Sequence, residues 1–312
     1  MKESRVRTSE IPILEHEELA KGARPVVRSP WQNAFRHFFR HRLAVFGLVV
    51  LILIGLSVAI GPLLIRTDPN RIVFSQMNKP PSLQHPMGTD ELGRDQLVRI
   101  LYGGRTTLMV GLACIMVSVT LGVTLGSIAG YSGGMIDNGI MRLVDVFYSL
   151  PSLFVVIILM TLIGPGFWTI VISISILRWM TTSRLVRACF LSLKEREFVT
   201  ASHALGMSNT GIVLRHLLPN SIGPVIVSAT LNIAGAILTE STLSFLGLGF
   251  QPPQATWGRM LLEATKAVIQ YGQWWRVFFP GLMLFLTILS INFIGDGLRD
   301  ALDPAGMTSH RN

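Results

Sequence analysis

Three polar side chains sit in stretches that are otherwise apolar: Arg178, Asn232 and Glu240. A charge in hydrocarbon is expensive and normally faces a cavity, a partner or a water-filled path. The three are therefore candidates to line a translocation pathway or a gate. An ion pair between Arg178 and Glu240 is the simplest arrangement, but depth argues against it. At 1.5 Å of rise per residue, Arg178 lies roughly 16 Å below the outer face and Glu240 roughly 27 Å above the inner face of a ~30 Å core. Separate roles are expected. Glu240 would brace an outer gate through neighbouring helix ends or residues 247–249, or make a structural interhelical bond. Arg178 would line the inner half of the pathway or snorkel to headgroups. No other pair in these stretches has the spacing of a catalytic dyad. Gly-Lys-Ser/Thr and His-Glu-x-x-His motifs are both missing, so no ATPase or metalloprotease signature is present. Cys114 and Cys189, the only two cysteines, lie in or beside apolar segments and read as small core residues. His85 and Asp90 are one imidazole and a scattered carboxylate, a poor metal set. The Asp and Arg residues of that loop are expected to pair with one another.

Residues 194–220 are polar and basic between oily flanks, reading KEREFVTASHALGMSNTGIVLRHLLPN. Glu197, Phe198, Ala201, Ser202 and Leu205 fall at helix spacing. Gly206 and Met207 follow, with the glycine at a C′ position that needs positive φ. Ser208 is a reasonable N-cap for a second helix over 209–218. Pro219, before Asn220, is expected to end that helix at Leu218. The product is a short helix–glycine–helix elbow, with Arg215 and His216 on its second arm.

The elements that must position these residues are membrane spans. The chain has 312 residues, half of them hydrophobic and only 14% charged, with a mean hydropathy of +0.51. Apolar runs at 43–65, 106–129, 146–163, 167–187, 222–246 and 277–298 predict six transmembrane helices in an all-α integral membrane protein. The connectors are read as loops at 66–104, 131–145 and 247–276, with a tight turn at Gly164-Pro165-Gly166. Residues 1–42 form a polar tail, whose end, with Trp31 and three phenylalanines, suggests a helix lying at the interface. Gly122, Gly126 and Gly130, four apart, make a small-residue stripe for close helix packing. The net charge of +9 lies in loops flanking apolar runs, so it reads as topology rather than nucleic-acid binding. With the N-terminus inside, inner segments hold 18 Lys and Arg and outer ones 9, which places both termini and the elbow in the cytoplasm.

The elbow resembles the cytoplasmic loop of bacterial ABC importer permeases, Glu-Ala-Ala, three residues, Gly, nine residues, Ile-x-Leu-Pro. Ala201-Ser202, Gly206 and Leu218-Pro219 stand at those spacings, while Thr200 and His216 depart from them. Glu197-Phe198-Val199, Arg215-His216 and Pro219-Asn220 fit the oligopeptide and dipeptide branch. So do the loop His85-Pro86-x-Gly88-Thr89-Asp90-x-x-Gly93-Arg94-Asp95 and the C-terminal run from Gly295 to Pro304. The resemblance covers about residues 31–304. It implies a type I importer permease in the bacterial inner membrane, with a five-helix core at 105–303, the first helix outside it and a tail at 304–312. It also implies a second homologous permease, two ATPase subunits docking at the elbow, and an extracytoplasmic peptide-binding protein. ATP and magnesium would bind the ATPases, so no cofactor is expected in this chain. Nickel and glutathione importers share these motifs. A stand-alone secondary transporter would need internal repeats and an ion site, and neither is evident.

Overall fold

The computed structural model describes residues 30–302, and among them the regular structure is helical. The tails at 1–29 and 303–312, with the last residues of the C-terminal motif, lie outside the described residues. Helix α1, Pro30–Arg40, leads into α2, Arg42–Ile65, whose N-cap His41 accepts from the Ala44 amide at 3.1 Å. A connector with one short 3₁₀ turn precedes α3, Gln96–Ser132, capped by the Asp95 carboxylate. That helix starts well before the expected end of the loop at residue 104. Its first three turns mix apolar residues with Gln96, Arg99 and Arg105, and Gln96 and Arg99 are buried against protein, so a hydropathy reading starts the helix too late.

The expected loop at 131–145 is instead α4, Gly134–Ser149, and α5 follows at Ser152–Ile163. The charges that suggested a loop lie on the polar face of an amphipathic helix, where Asp137 receives the Arg187 guanidinium at 2.6 Å. The two helices meet at 87°. Pro151 causes the bend: its ring drives Leu150 out of the helical region and into extended backbone. The expected span at 167–187 is also broken, into α6, Phe167–Ser175, and α7, Trp179–Lys194. The chain tightens between them, with Leu177 and Arg178 donating to carbonyls only three residues back.

The elbow supplies α8, Glu197–Ala204, and α9, Asn209–Ile212. Pro219 does not end the second arm. A π-helical turn over Val213–Leu217 carries the chain directly into α10, Leu218–Phe245, and Pro219 sits at its first turn, where a missing N–H costs little. The expected loop at 247–276 holds another helix, α11, Trp257–Tyr271, capped by Thr256. Helix α12, Trp275–Leu302, completes the fold.

Among the described residues, four helices are individually long and apolar enough to cross a membrane, and the bent α4–α5 pair makes a fifth candidate. Helix α3 is the hub, in contact with α7, α10, α6, α4 and α2, while α2 lies along α12.

Candidate functional site

The elbow is built on a Schellman cap. Gly206 adopts a positive φ, its amide donates to the His203 carbonyl at 3.0 Å, and the Met207 amide donates to Ser202 at 3.1 Å. Ser208 caps the second arm through the Gly211 amide at 3.2 Å. The elbow has two sides. Val199, Ile212 and Leu217 are fully buried in one apolar cluster with Val186 and Phe190 of α7, and Met207 packs on it. Phe198, Ala201 and Leu205 face outward, Leu205 at 88% exposure. Helix α8 thus offers an apolar ridge away from the fold while a different face roots it. Val199, which carries the rooting, is marked in the sequence only by its spacing and its place in Glu197-Phe198-Val199. His216 braces the corner: its ring lies 6.1 Å from that of Phe198, and its carbonyl accepts from the Asn220 amide group at 2.6 Å. Glu197, Arg215 and Pro219 are exposed.

The glycine stripe faces α7. A Cβ on Gly122 would meet Thr182 Cβ at 2.6 Å, one on Gly126 the Ser183 carbonyl at 2.5 Å, and one on Gly130 Phe190 Cβ at 2.6 Å. Helix α7, which leads into the elbow, is therefore seated closely on α3, with no α3 side chain between them at these three positions.

A cavity of about 450 Å³ opens between α4, α5, α7 and α10, and Arg178 and Asn232 both line it. The Arg178 guanidinium lies over Gly235, within 3.0 Å of where a Cβ would be, and donates to the Thr239 hydroxyl at 2.9 Å. Thr239 is the neighbour of Glu240, so the guanidinium reaches to within one residue of Glu240 along α10. The two still do not pair. Glu240 is fully buried and turned away from the cavity, accepting from Ser244 at 2.7 Å and Ser241 at 3.3 Å, with Thr107 and Thr256 close by. Nor does it bond residues 247–249, whose amides return to the Leu243 and Ser244 carbonyls.

At the far end of α10 the loop before α3 locks onto α11. Asp90 accepts from Arg94 at 2.6 Å and Arg99 at 2.8 Å, and both arginines also reach Glu263 of α11, at 3.2 and 2.9 Å. Arg276 adds a pair with Glu91. Burial raises the Asp90 carboxyl, but Arg94, Arg99 and two backbone amides outweigh it and hold the group below its ordinary range. His85 bonds Asp95 at 2.7 Å rather than Asp90. The expected Asp–Arg pairing is present. Its second carboxylate, Glu263, comes from a helix near the other end of the chain, beyond the reach of local pattern.

The model for binding-protein-dependent transport system inner membrane components matches residues 122–305, and that for the N-terminal transmembrane domain of oligopeptide transport permease C matches residues 29–81. The chain is 43% identical to the dipeptide transport system permease protein DppC of Bacillus subtilis over 273 residues, 88% of this chain and 85% of that one. It is 40% identical to the oligopeptide transport system permease protein OppC of Bacillus subtilis, covering 88% of this chain and 90% of that one. It is 43% identical to the OppC of Haemophilus influenzae, covering 89% of each. The chain belongs to the family of binding-protein-dependent transport system inner membrane components, multi-pass proteins of the inner membrane.

Proposed function

We propose that this chain is one of two permease subunits of an ATP-driven importer for dipeptides or oligopeptides. In this reading it has six spans, both termini in the cytoplasm, and a sixth span formed by the broken pair α6–α7. The observation that carries the reading is the two-sided elbow. Its outer ridge of Phe198, Ala201 and Leu205 is an anchor for a groove on an ATPase subunit. Its inner residues Val199, Ile212 and Leu217 transmit a push to α7, whose N-cap is Arg178, and to α10, which bears Asn232 and Glu240. A permease of this kind needs inward-open and outward-open packings of similar energy, and ATP-driven closure of two ATPases would shift the balance through α8. ATP and magnesium belong to those partners. A second, homologous permease would close the pathway, and an extracytoplasmic binding protein would deliver the substrate.

The cavity favours a peptide over a free metal ion. Among its described lining residues are one guanidinium, an amide and several hydroxyls, and no His, Cys, Asp or Glu. Nickel prefers imidazole and other N, O or S donors, whereas Arg178 suits a carboxylate. Glutathione also carries carboxylates and stays open as a substrate. Glu240 braces the outer end of α10 beneath α11 and does not touch solute.

The test is disulfide or reagent cross-linking of Leu205→Cys in the assembled complex. Capture of an ATPase subunit from position 205, and none from Leu214→Cys, is the expected result. Equal capture at both, or capture at neither, would remove the elbow from the docking surface. Retention of labelled dipeptide by the complex, lost in Arg178→Gln, tests the substrate assignment.

A further inference from the structure

A second groove, of about 280 Å³, runs between α1 and parts of α2, α10 and α12, and plays no part in the proposed pathway. Its walls are Ala34, Phe35, Phe38 and Phe39 of α1, Leu48 of α2, Ile226 of α10 and the last turns of α12. Ala34 and Phe38 are buried, while Phe35 remains 68% exposed and Phe39 48%. At 3.6 residues per turn, positions 34, 35, 38 and 39 share one face of α1, and Arg36, His37 and Arg40 take the other. Arg42 opens α2, exposed. No Asp or Glu occurs between residues 19 and 67. Asp300 of α12 is engaged by His41 at 3.6 Å. Among the described residues no carboxylate partner meets Arg36, Arg40 or Arg42.

We propose that this groove seats one acyl chain of an anionic phospholipid, with its phosphate held at the α1–α2 junction by Arg40 and Arg42. The register fits a lipid. Leu48 lies six residues beyond Arg42, roughly 9 Å along α2, so the basic end stands one headgroup length from the apolar wall. An apolar slot roofed by an amphipathic helix with arginines on its outer face is the arrangement that binds at the headgroup–acyl boundary. The charge selects the headgroup: a basic residue near an anionic surface contributes about fivefold in affinity. A zwitterionic lipid could fill the slot but would forgo most of that gain.

The experiment titrates the purified complex with phosphatidylglycerol and, separately, phosphatidylcholine, and counts bound lipid by native mass spectrometry. Wild type should retain one phosphatidylglycerol, at a concentration on the order of tenfold below that needed for phosphatidylcholine. Arg40→Gln with Arg42→Gln, both exposed side chains, should abolish that preference yet keep weak binding of either lipid. Ala34→Trp, which fills the slot, should lose both. Equal retention of the two lipids by wild type, or an unchanged preference in the double arginine variant, overturns the proposal. A photo-reactive residue at Phe35 identifies the occupant independently. Cross-linking to lipid supports the assignment. Cross-linking to residues 1–29 of the chain or to the partner permease instead refutes it.

Discussion

The close seat between α3 and α7 makes a quantitative prediction. An alanine at position 126 places its Cβ 2.5 Å from the Ser183 carbonyl oxygen, 2.9 Å from Val186 Cβ and 3.0 Å from Ser183 Cα. An ordinary Cβ contact lies near 3.4 Å or beyond. The obstacles are backbone and a β-carbon, neither of which can rotate aside, so the helices must part by about 1 Å at the midpoint of their contact. Overpacking of a tight core costs about 1–3 kcal/mol. For a protein of this size that corresponds to roughly 2–10 °C in Tm. Gly126→Leu should be worse and block assembly, because the extra atoms meet the same backbone. Gly55 is the control: it is also in a membrane helix, yet a Cβ there meets nothing within 4 Å. Gly55→Ala removes the same backbone freedom without the clash and should leave Tm unchanged or slightly raised. The assay is thermal unfolding of the detergent-purified complex by size-exclusion loss. A Gly126→Ala Tm equal to that of Gly55→Ala would refute the close-packing argument. Intact assembly and normal uptake by Gly126→Leu would show that the stripe tolerates separation and does not carry the elbow.

Gly206→Val should leave the fold intact, since nothing lies within 4 Å of the new Cβ. A β-branched residue at that positive φ is nonetheless strained by about 1–3 kcal/mol, which reshapes the ridge. ATP hydrolysis should continue while peptide uptake falls, and normal uptake per ATP would sink the claim. Arg178→Gln should lower uptake with little change in Tm, whereas Glu240→Gln, in a fully buried hydroxyl cage, should lower Tm by several degrees. Because the two groups do not touch, the uptake losses should be roughly additive in the double mutant. A double no worse than Arg178→Gln would show that they are coupled through Thr239. Acid should loosen the loop–α11 lock. Asp90 is depressed below its ordinary value of 3.8, so its contribution is complete above that pH and is lost as pH falls through the lower folded value. Native-state proteolysis of the 66–95 segment should rise below about pH 4 in wild type. In Asp90→Asn it should already be high at neutral pH, and proteolysis of wild type that did not change with pH would contradict the sign.

The sequence alone determined whatever depends on neighbours along the chain. Hydropathy marked the helices that must satisfy their own backbone in lipid. The spacing of Ala201, Gly206 and Ser208 set the elbow's cap, because a Schellman turn is closed by residues near one another in sequence. The four-residue rhythm of Gly122, Gly126 and Gly130 announced a close contact, since small residues on one helical face have little other use. Tertiary structure decided what depends on distant partners. The stripe's partner is α7, and only packing selects it from the available helices. Charged residues at 137, 142 and 145 looked like a loop until Arg187 gave α4 a polar side to face. Glu263 joined Asp90 because α11 folds over the start of α3, which no local period reveals. The depth estimate for Arg178 and Glu240 assumed straight helices at a uniform rise. The length of the Arg178 side chain carries its guanidinium to Thr239, while the side from which Glu240 leaves α10 keeps the charges apart. Rise per residue is a property of the chain, but which way a side chain points across a bundle is settled only when its neighbours are in place.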